Sequence, residues 1–372
     1  MKRNRMRWAA ATLALAACSA FAAETTPPKA PTQAQVTPKV GMFTVTSLSV
    51  FNPIPKQLQL MDFWFPMPFE DDHQKIYQRF ISAPYNIETA ELPESLGVVN
   101  YMKGGPRGGL PLQVRVTFHV ERFELVRTDY SKAVDKPATE QEKQIHERWT
   151  RPETLVVVDK EMKAIASKIV SGKKKTVERA RAIYDHLVAG VQRVTPYELQ
   201  GAGYGNAKFT VMQMKGNDMD MAPAFVGLCR ALGIPARTVI GYKIPPGLAQ
   251  GGLADYNSWA EFYLDGVGWV PTDPSEARKS PSKRAYYFGG LDERRVAISI
   301  GRDIMLVPPQ ADRPLNFWVK PYWEGDQKPM PDPYVETSFI QIDEIPGKNP
   351  PAGTTSSSYE ATEPSRPAAS RR

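Results

Sequence analysis

The stretch Gly216-Asn-Asp-Met-Asp-Met-Ala-Pro-Ala-Phe-Val-Gly-Leu-Cys-Arg-Ala-Leu-Gly233 decides the architecture of this chain. From about Asp220 to Leu232 it reads as one helix, with Gly233 supplying the left-handed residue that closes it. Phe225, Val226, Leu228, Cys229 and Leu232 spread apolar surface around most of its girth, and a helix without a polar face is buried. Pro223 must fall near its first turn, where a missing N–H does least harm. Asp218 and Asp220 stand at its start, where carboxylates cap free N–H groups and complement the helix dipole.

Strands surround this helix. Arg237–Lys243, Ser258–Leu264 and Trp269–Thr272 follow it, each short and rich in β-branched or aromatic residues. Before it lies a glycine-rich turn, Gly201-Ala-Gly-Tyr-Gly205, eleven residues ahead of Gly216. No Gly-Lys-Ser/Thr follows, so it is not a nucleotide loop. The fold class is α+β, with a central buried helix on an antiparallel sheet.

These residues carry a resemblance. The run Ala231-Leu-Gly-Ile-Pro-Ala-Arg-Thr-Val-Ile-Gly-Tyr242, then Asn257-Ser-Trp-Ala-Glu-Phe-Tyr-Leu264, then Gly268-Trp-Val-Pro-Thr-Asp-Pro-Ser-Glu-Ala277, resembles the core of the transglutaminase-like superfamily. That resemblance implies a papain-like fold and a Cys-His-Asp triad for acyl transfer or peptide hydrolysis. It covers 155–325 specifically and 41–130 loosely. It also implies that Asp218 occupies the nucleophilic Cys position, because the family's Gly-Asn-Cys-x-Asp turn here reads Gly216-Asn217-Asp218-Met219-Asp220. Asn257 occupies the His position, and Asp273 the Asp position. A thiolate at a helix start can attack an acyl carbon, whereas a carboxylate attacks an amide poorly and an amide side chain moves no proton near neutral pH. The thiol triad is therefore not expected to work.

No other residue takes over by sequence. Cys229 lies eleven positions beyond Asp218, roughly 16 Å along the helix, and reads as a buried core thiol. His73, His119, His146 and His186 lie outside the two motif strands. Tyr204, Asn217, Asp220, Tyr256 and Trp259 are expected to line the cleft. Glu261 is expected at solvent or on an arginine. No cofactor and no metal ligand is assigned. A divalent cation at Asp218, Asp220 and Asp273 is the minority option, without a loop of Ca²⁺-site spacing behind it.

Outward from this core, residues 41–130 are read as a β-sandwich-like domain. Phe43–Phe51, Leu58–Phe65 and the alternating Leu112–Phe123 are its candidate strands. Residues 131–154 form a linker with one short helix around Glu140–Trp149. Met162, Ile165, Ile169 and Val170 make a helical stripe. Thr176 is the expected N-cap of a further helix carrying Val177, Ala180, Ile183, Tyr184, Leu187 and Val191. Residues 286–324 continue the resemblance as C-terminal strands. The extension 326–372 turns Pro-, Ser-, Thr- and Ala-rich and is expected to be disordered after about 347.

The chain has 372 residues and a formal net charge of +7. Residues 1–23 read as a signal peptide: Lys2, Arg3, Arg5 and Arg7 precede an apolar run too short to span a bilayer. Cleavage after Ala22 or Ala23 competes with lipidation of Cys18 in a lipobox-like Leu15-Ala-Ala-Cys18. Residues 24–40 are a flexible linker. Without the leader the formal charge falls to +3, and no basic stripe suits nucleic acid. Either route leaves Cys229 without a disulfide partner. The favoured reading is a secreted or periplasmic bacterial protein, lipid-anchored if Cys18 is modified. It is read as catalytically inactive, and as binding a peptide, a cell-wall fragment or an envelope protein. The alternative is a hydrolase or acyltransferase-fold enzyme with carboxylate- or metal-based chemistry.

Overall fold

The central helix forms where its apolar girth predicts, and neighbouring helices and one sheet bury it. In the computed structural model, which describes residues 38–93, 96–106, 110–254 and 256–346, six helices alternate with antiparallel sheets. The expected leader, Cys18 and the tail after 347 lie outside the described residues. The helices are α1 (Glu140–Trp149), α2 (Lys160–Ile169), α3 (Thr176–Gly190), α4 (Ala207–Gln213), α5 (Asp218–Ala231) and α6 (Pro274–Lys279). In α5 every residue after Asp218 is buried. It starts two residues earlier than its sequence suggests, because Asn217 takes the N-cap and accepts from the Met219 amide at 2.8 Å. Lys175, not Thr176, precedes α3. Thr176 is the first helical residue and donates its N–H and hydroxyl to Asp135, both at 3.0 Å.

A four-stranded sheet backs α5, in the order Gly268–Thr272, Tyr256–Leu264, Ala236–Lys243, Arg295–Ile300. Phe225, Leu228 and Cys229 of α5 share a core with Phe262 and Leu264 of that sheet, and with Met162, Ile183 and Leu187 of α2 and α3. The Phe225 and Phe262 rings meet edge to face at 5.9 Å. This burial is non-directional, and each large side chain contributes roughly 1.5–3 kcal/mol.

Two five-stranded sheets and two two-stranded ones make up the rest of the described β-structure. One five-stranded sheet runs Gln250–Gly252, Tyr334–Gln341, Val40–Phe51, Leu112–Phe123, Gln74–Ser82. The other runs Lys328–Pro329, Tyr322–Gly325, Met61–Met67, Val98–Gly104, Glu88–Glu91. Phe51, Phe63, Phe65 and Trp323 form an aromatic knot shared by the two. Leu112–Phe123 shows the period-two burial its sequence promises. The late strands do not stay with the helical half: Tyr322–Gly325 pairs with Met61–Met67, and Tyr334–Gln341 pairs with Val40–Phe51.

Candidate functional site: the cleft at the start of the central helix

The first turn of α5 is built from a capping box. Asn217 caps the helix, and Asp220 reaches back to the Asn217 amide at 2.8 Å. Asp220 does more than cap. Its carboxylate also accepts from Gly203 N at 2.7 Å and Gly205 N at 2.8 Å, so one buried side chain ties the glycine-rich turn to the helix. Glycine is required there. Gly203 and Gly205 have φ of +87° and +66°, and a Cβ on Gly205 would lie 2.4 Å from the Arg302 guanidinium.

Arg302 braces the turn from below. Its Nη2 donates to the Tyr204 carbonyl at 2.7 Å, its Nε donates to Asn316 Oδ1 at 3.0 Å, and Asn316 Nδ2 donates to the same Tyr204 carbonyl. Burial pushes the guanidinium down to about 10.

Asp218 behaves differently. Its side chain is about a quarter exposed. Oδ1 accepts from Ser275 Oγ at 2.6 Å, and Oδ2 is ion-paired with Lys279, both donors belonging to α6. Its backbone carbonyl accepts from Ser258 Oγ at 3.0 Å. Lys279 also binds Glu276, whose other oxygen pairs with Lys243. Burial alone would raise Glu276, but the two lysines outweigh it and hold the carboxyl below its ordinary value.

Asp273 lies outside this exchange. It caps α6, accepting from Glu276 N at 2.9 Å, and its second oxygen meets Arg295 at 2.6 Å, with both side chains fully buried. Burial disfavours the Arg295 charge, yet Asp273 and Asp292 outweigh it and raise the guanidinium above its ordinary value. Asn257 is buried opposite Gly241, and its Oδ1 has no hydrogen-bond partner among the described residues.

A cleft of about 390 Å³ opens over this turn, lined by Arg193, Tyr204, Asn217, Asp218, Met219 and Tyr256 among others. Two expected lining residues are absent from it. Asp220 is closed off beneath the glycine turn, and Trp259 is fully buried in the core beside Trp64, Trp149 and Trp318. The strand Tyr256–Leu264 is buried on both faces, so alternation along it cannot tell the cleft side from the core side. Sequence reasoning also missed Ser275 and Lys279. Their i,i+4 spacing on α6 was the available signal.

The three carboxylates do not converge. Asp218 faces α6, Asp220 faces backbone amides and Asp273 faces Arg295. Among the described residues no group of three or more His, Cys, Asp or Glu is placed to hold a metal ion. Cys229 is fully buried, and burial pushes its thiol well up. His119 meets Thr44, and His146 pairs with Asp265. His186 is exposed on α3. Glu261 pairs with Arg237 at 2.7 Å.

The matching family model is the transglutaminase-like superfamily, over residues 163–274. The chain carries a transglutaminase-like domain. It is 24% identical over 302 residues to an uncharacterized protein of Haemophilus influenzae, covering 72% of this chain and 81% of the relative. A solved structure described as a candidate cysteine protease from Cytophaga hutchinsonii superposes with a TM-score of 0.57 at 17% identity, covering 82% of this chain and 92% of the other. At that identity the likeness establishes the fold, α+β and papain-like. Among the described residues no helix is long and apolar enough to cross a membrane.

Proposed function

We propose that this transglutaminase-like protein is a non-catalytic member that binds a peptide segment in the cleft over α5, as part of a cell-wall fragment or of an envelope protein. The observation that carries the reading is the state of Asp218. The resemblance puts the family's thiol at that position, and here a carboxylate is held between Ser275 and Lys279. A carboxylate so engaged is a weak nucleophile towards an amide carbon and cannot do the work of a thiolate. Asn257 supplies no proton transfer, and Asp273 is committed to Arg295 rather than to orienting an imidazole. The cleft nonetheless persists, with two tyrosines, the Asn217 amide and Arg193 on its walls. Such a mix suits a peptide backbone and its side chains. The leader and the lipobox-like Leu15–Cys18 support export, with Cys18 as the lipid attachment if it becomes the mature N-terminus.

The test is a pair of assays on the mature protein: amine incorporation into a casein-like acceptor and hydrolysis of peptides, each before and after thiol alkylation. No turnover, together with saturable binding of cell-wall peptides that Tyr256→Ala weakens, is the expected result. Turnover that survives alkylation and is lost in Asp218→Ala would replace this reading with the alternative, an enzyme using carboxylate chemistry. Sequencing the mature N-terminus separates cleavage at Ala22 or Ala23 from processing at Cys18.

A further inference from the structure

A second cavity lies apart from the cleft over α5. It holds about 480 Å³ and lies along the outer face of α3, against the segment 128–130 and the turn before Gly289. Its walls are apolar: the Tyr130 ring, Val177, Ala182, Ala285 and Phe288. Tyr130 meets Phe288 edge to face at 6.5 Å, and Tyr184 meets the same ring at 5.3 Å, so the floor is a fixed aromatic surface. One cation is laid across it. The Arg181 guanidinium sits 5.1 Å from the Phe288 ring centre and 5.6 Å from that of Tyr184.

One carboxylate at the rim is shared between two cations. Arg181 donates to Asp185 at 2.9 Å, but Asp185 is also bound by Arg284 at 2.8 Å, so two guanidinium groups share one carboxylate. Lys173 and Glu178 complete the rim. Within the lining two cations face two carboxylates, and Arg284 adds a second guanidinium on Asp185 from outside it. Arg181 keeps two-fifths of its side-chain surface exposed, and its fork is only partly used. A concave apolar floor of a few hundred Å³ with one under-committed charged group at its edge is the usual design of a small-molecule site.

We propose that this cavity binds a small amphipathic anion, an aryl or short-chain carboxylate whose apolar body lies on Phe288 and Tyr130 and whose carboxylate pairs with Arg181. The site is independent of the cleft over α5: the two share no lining residue. The carboxylate competes with Asp185 for Arg181, and Arg284 remains to satisfy Asp185 when it does so.

The experiment is a ligand-observed NMR titration of the full mature protein with 3-phenylpropionate, and in parallel with its uncharged alcohol, 3-phenylpropan-1-ol. For a ligand of about eleven heavy atoms, saturation is expected at roughly millimolar concentration. Arg181→Gln is expected to weaken the acid about fivefold and leave the alcohol unchanged, the size of a partly screened ion pair. Ala182→Trp, which fills the cavity from its wall, is expected to abolish both, with its circular dichroism and melting confirming that it folds. Lack of saturation by roughly 50 mM, equal loss of acid and alcohol in Arg181→Gln, or undiminished binding in a folded Ala182→Trp would each overturn the proposal.

Discussion

The first turn of α5 presents two regions that differ in kind. On the cleft side, Asp218 is met by side chains: a serine hydroxyl and the end of a lysine that also serves Glu276. On the buried side, Asp220 is met only by backbone amides, three of them, from two segments of chain. Asp273 and Arg295 extend that buried side with an ion pair closed to water. A lysine tip in partial solvent costs side-chain entropy and is screened, so it contributes little. A buried carboxylate holding three N–H groups cannot be removed without leaving all three unsatisfied. The same residue type thus marks a replaceable contact on one side and a structural tie on the other. The surface over α5 is free to vary while the brace under it is not.

Five substitutions sharpen this contrast. The largest loss is expected from Asp273→Ala, which removes the nearer of two carboxylates from the buried Arg295, leaves it only Asp292 at 3.4 Å, and should cost about 3–5 kcal/mol in denaturant unfolding. Adding Arg295→Met should recover much of that loss, and a double variant no more stable than the single one would show that the pair matters for other reasons. Asp220→Ala should cost about 3 kcal/mol and raise hydrogen exchange at the Gly203 and Gly205 amides. Exchange unchanged at those two amides would break the comparison.

A smaller effect concerns acid. Folding lowers the Glu276 value, so its contribution is complete above the ordinary glutamate range and is lost as pH falls through the lowered value. The wild-type melting temperature should therefore fall more steeply than that of Glu276→Gln below about pH 4.5. Parallel curves would remove Glu276 from the account. Smallest of all, Asp218→Ala should cost at most about 1 kcal/mol, the worth of a helix-start carboxylate with an exposed partner. A loss as large as that of Asp220→Ala would erase the distinction between the two sides.

The difference between the sides also explains what the sequence made legible. The acidic start of α5 declares itself locally in Asp218 and Asp220, although the cap itself fell to Asn217, which the sequence had suggested only for the cleft wall. The buried girth of α5, the alternation in Leu112–Phe123 and the helix Glu140–Trp149 are likewise short-range patterns. What escaped was long-range. Arg295 lies 22 positions from Asp273, Ser275 lies 57 from Asp218, and no local pattern links them. Trp259 was misplaced because its strand is covered on both faces, which removes the polar alternation that would have assigned it. Arg302, 98 positions from Tyr204, offered no signal at all.

The pairing of Tyr334–Gln341 with Val40–Phe51 joins, among others, Ser47 and Thr337, 290 positions apart along the chain. A ribosome delivers the first of these strands long before the second, on the order of 15–60 s earlier at about 5–20 residues per second. Through that interval one long edge of Val40–Phe51 has no neighbour, and an open edge is a template for pairing with other chains. The molecule's vulnerability to misassembly is thus a matter of timing, greatest while synthesis is under way. A chain stopped before residue 334 would never leave that state.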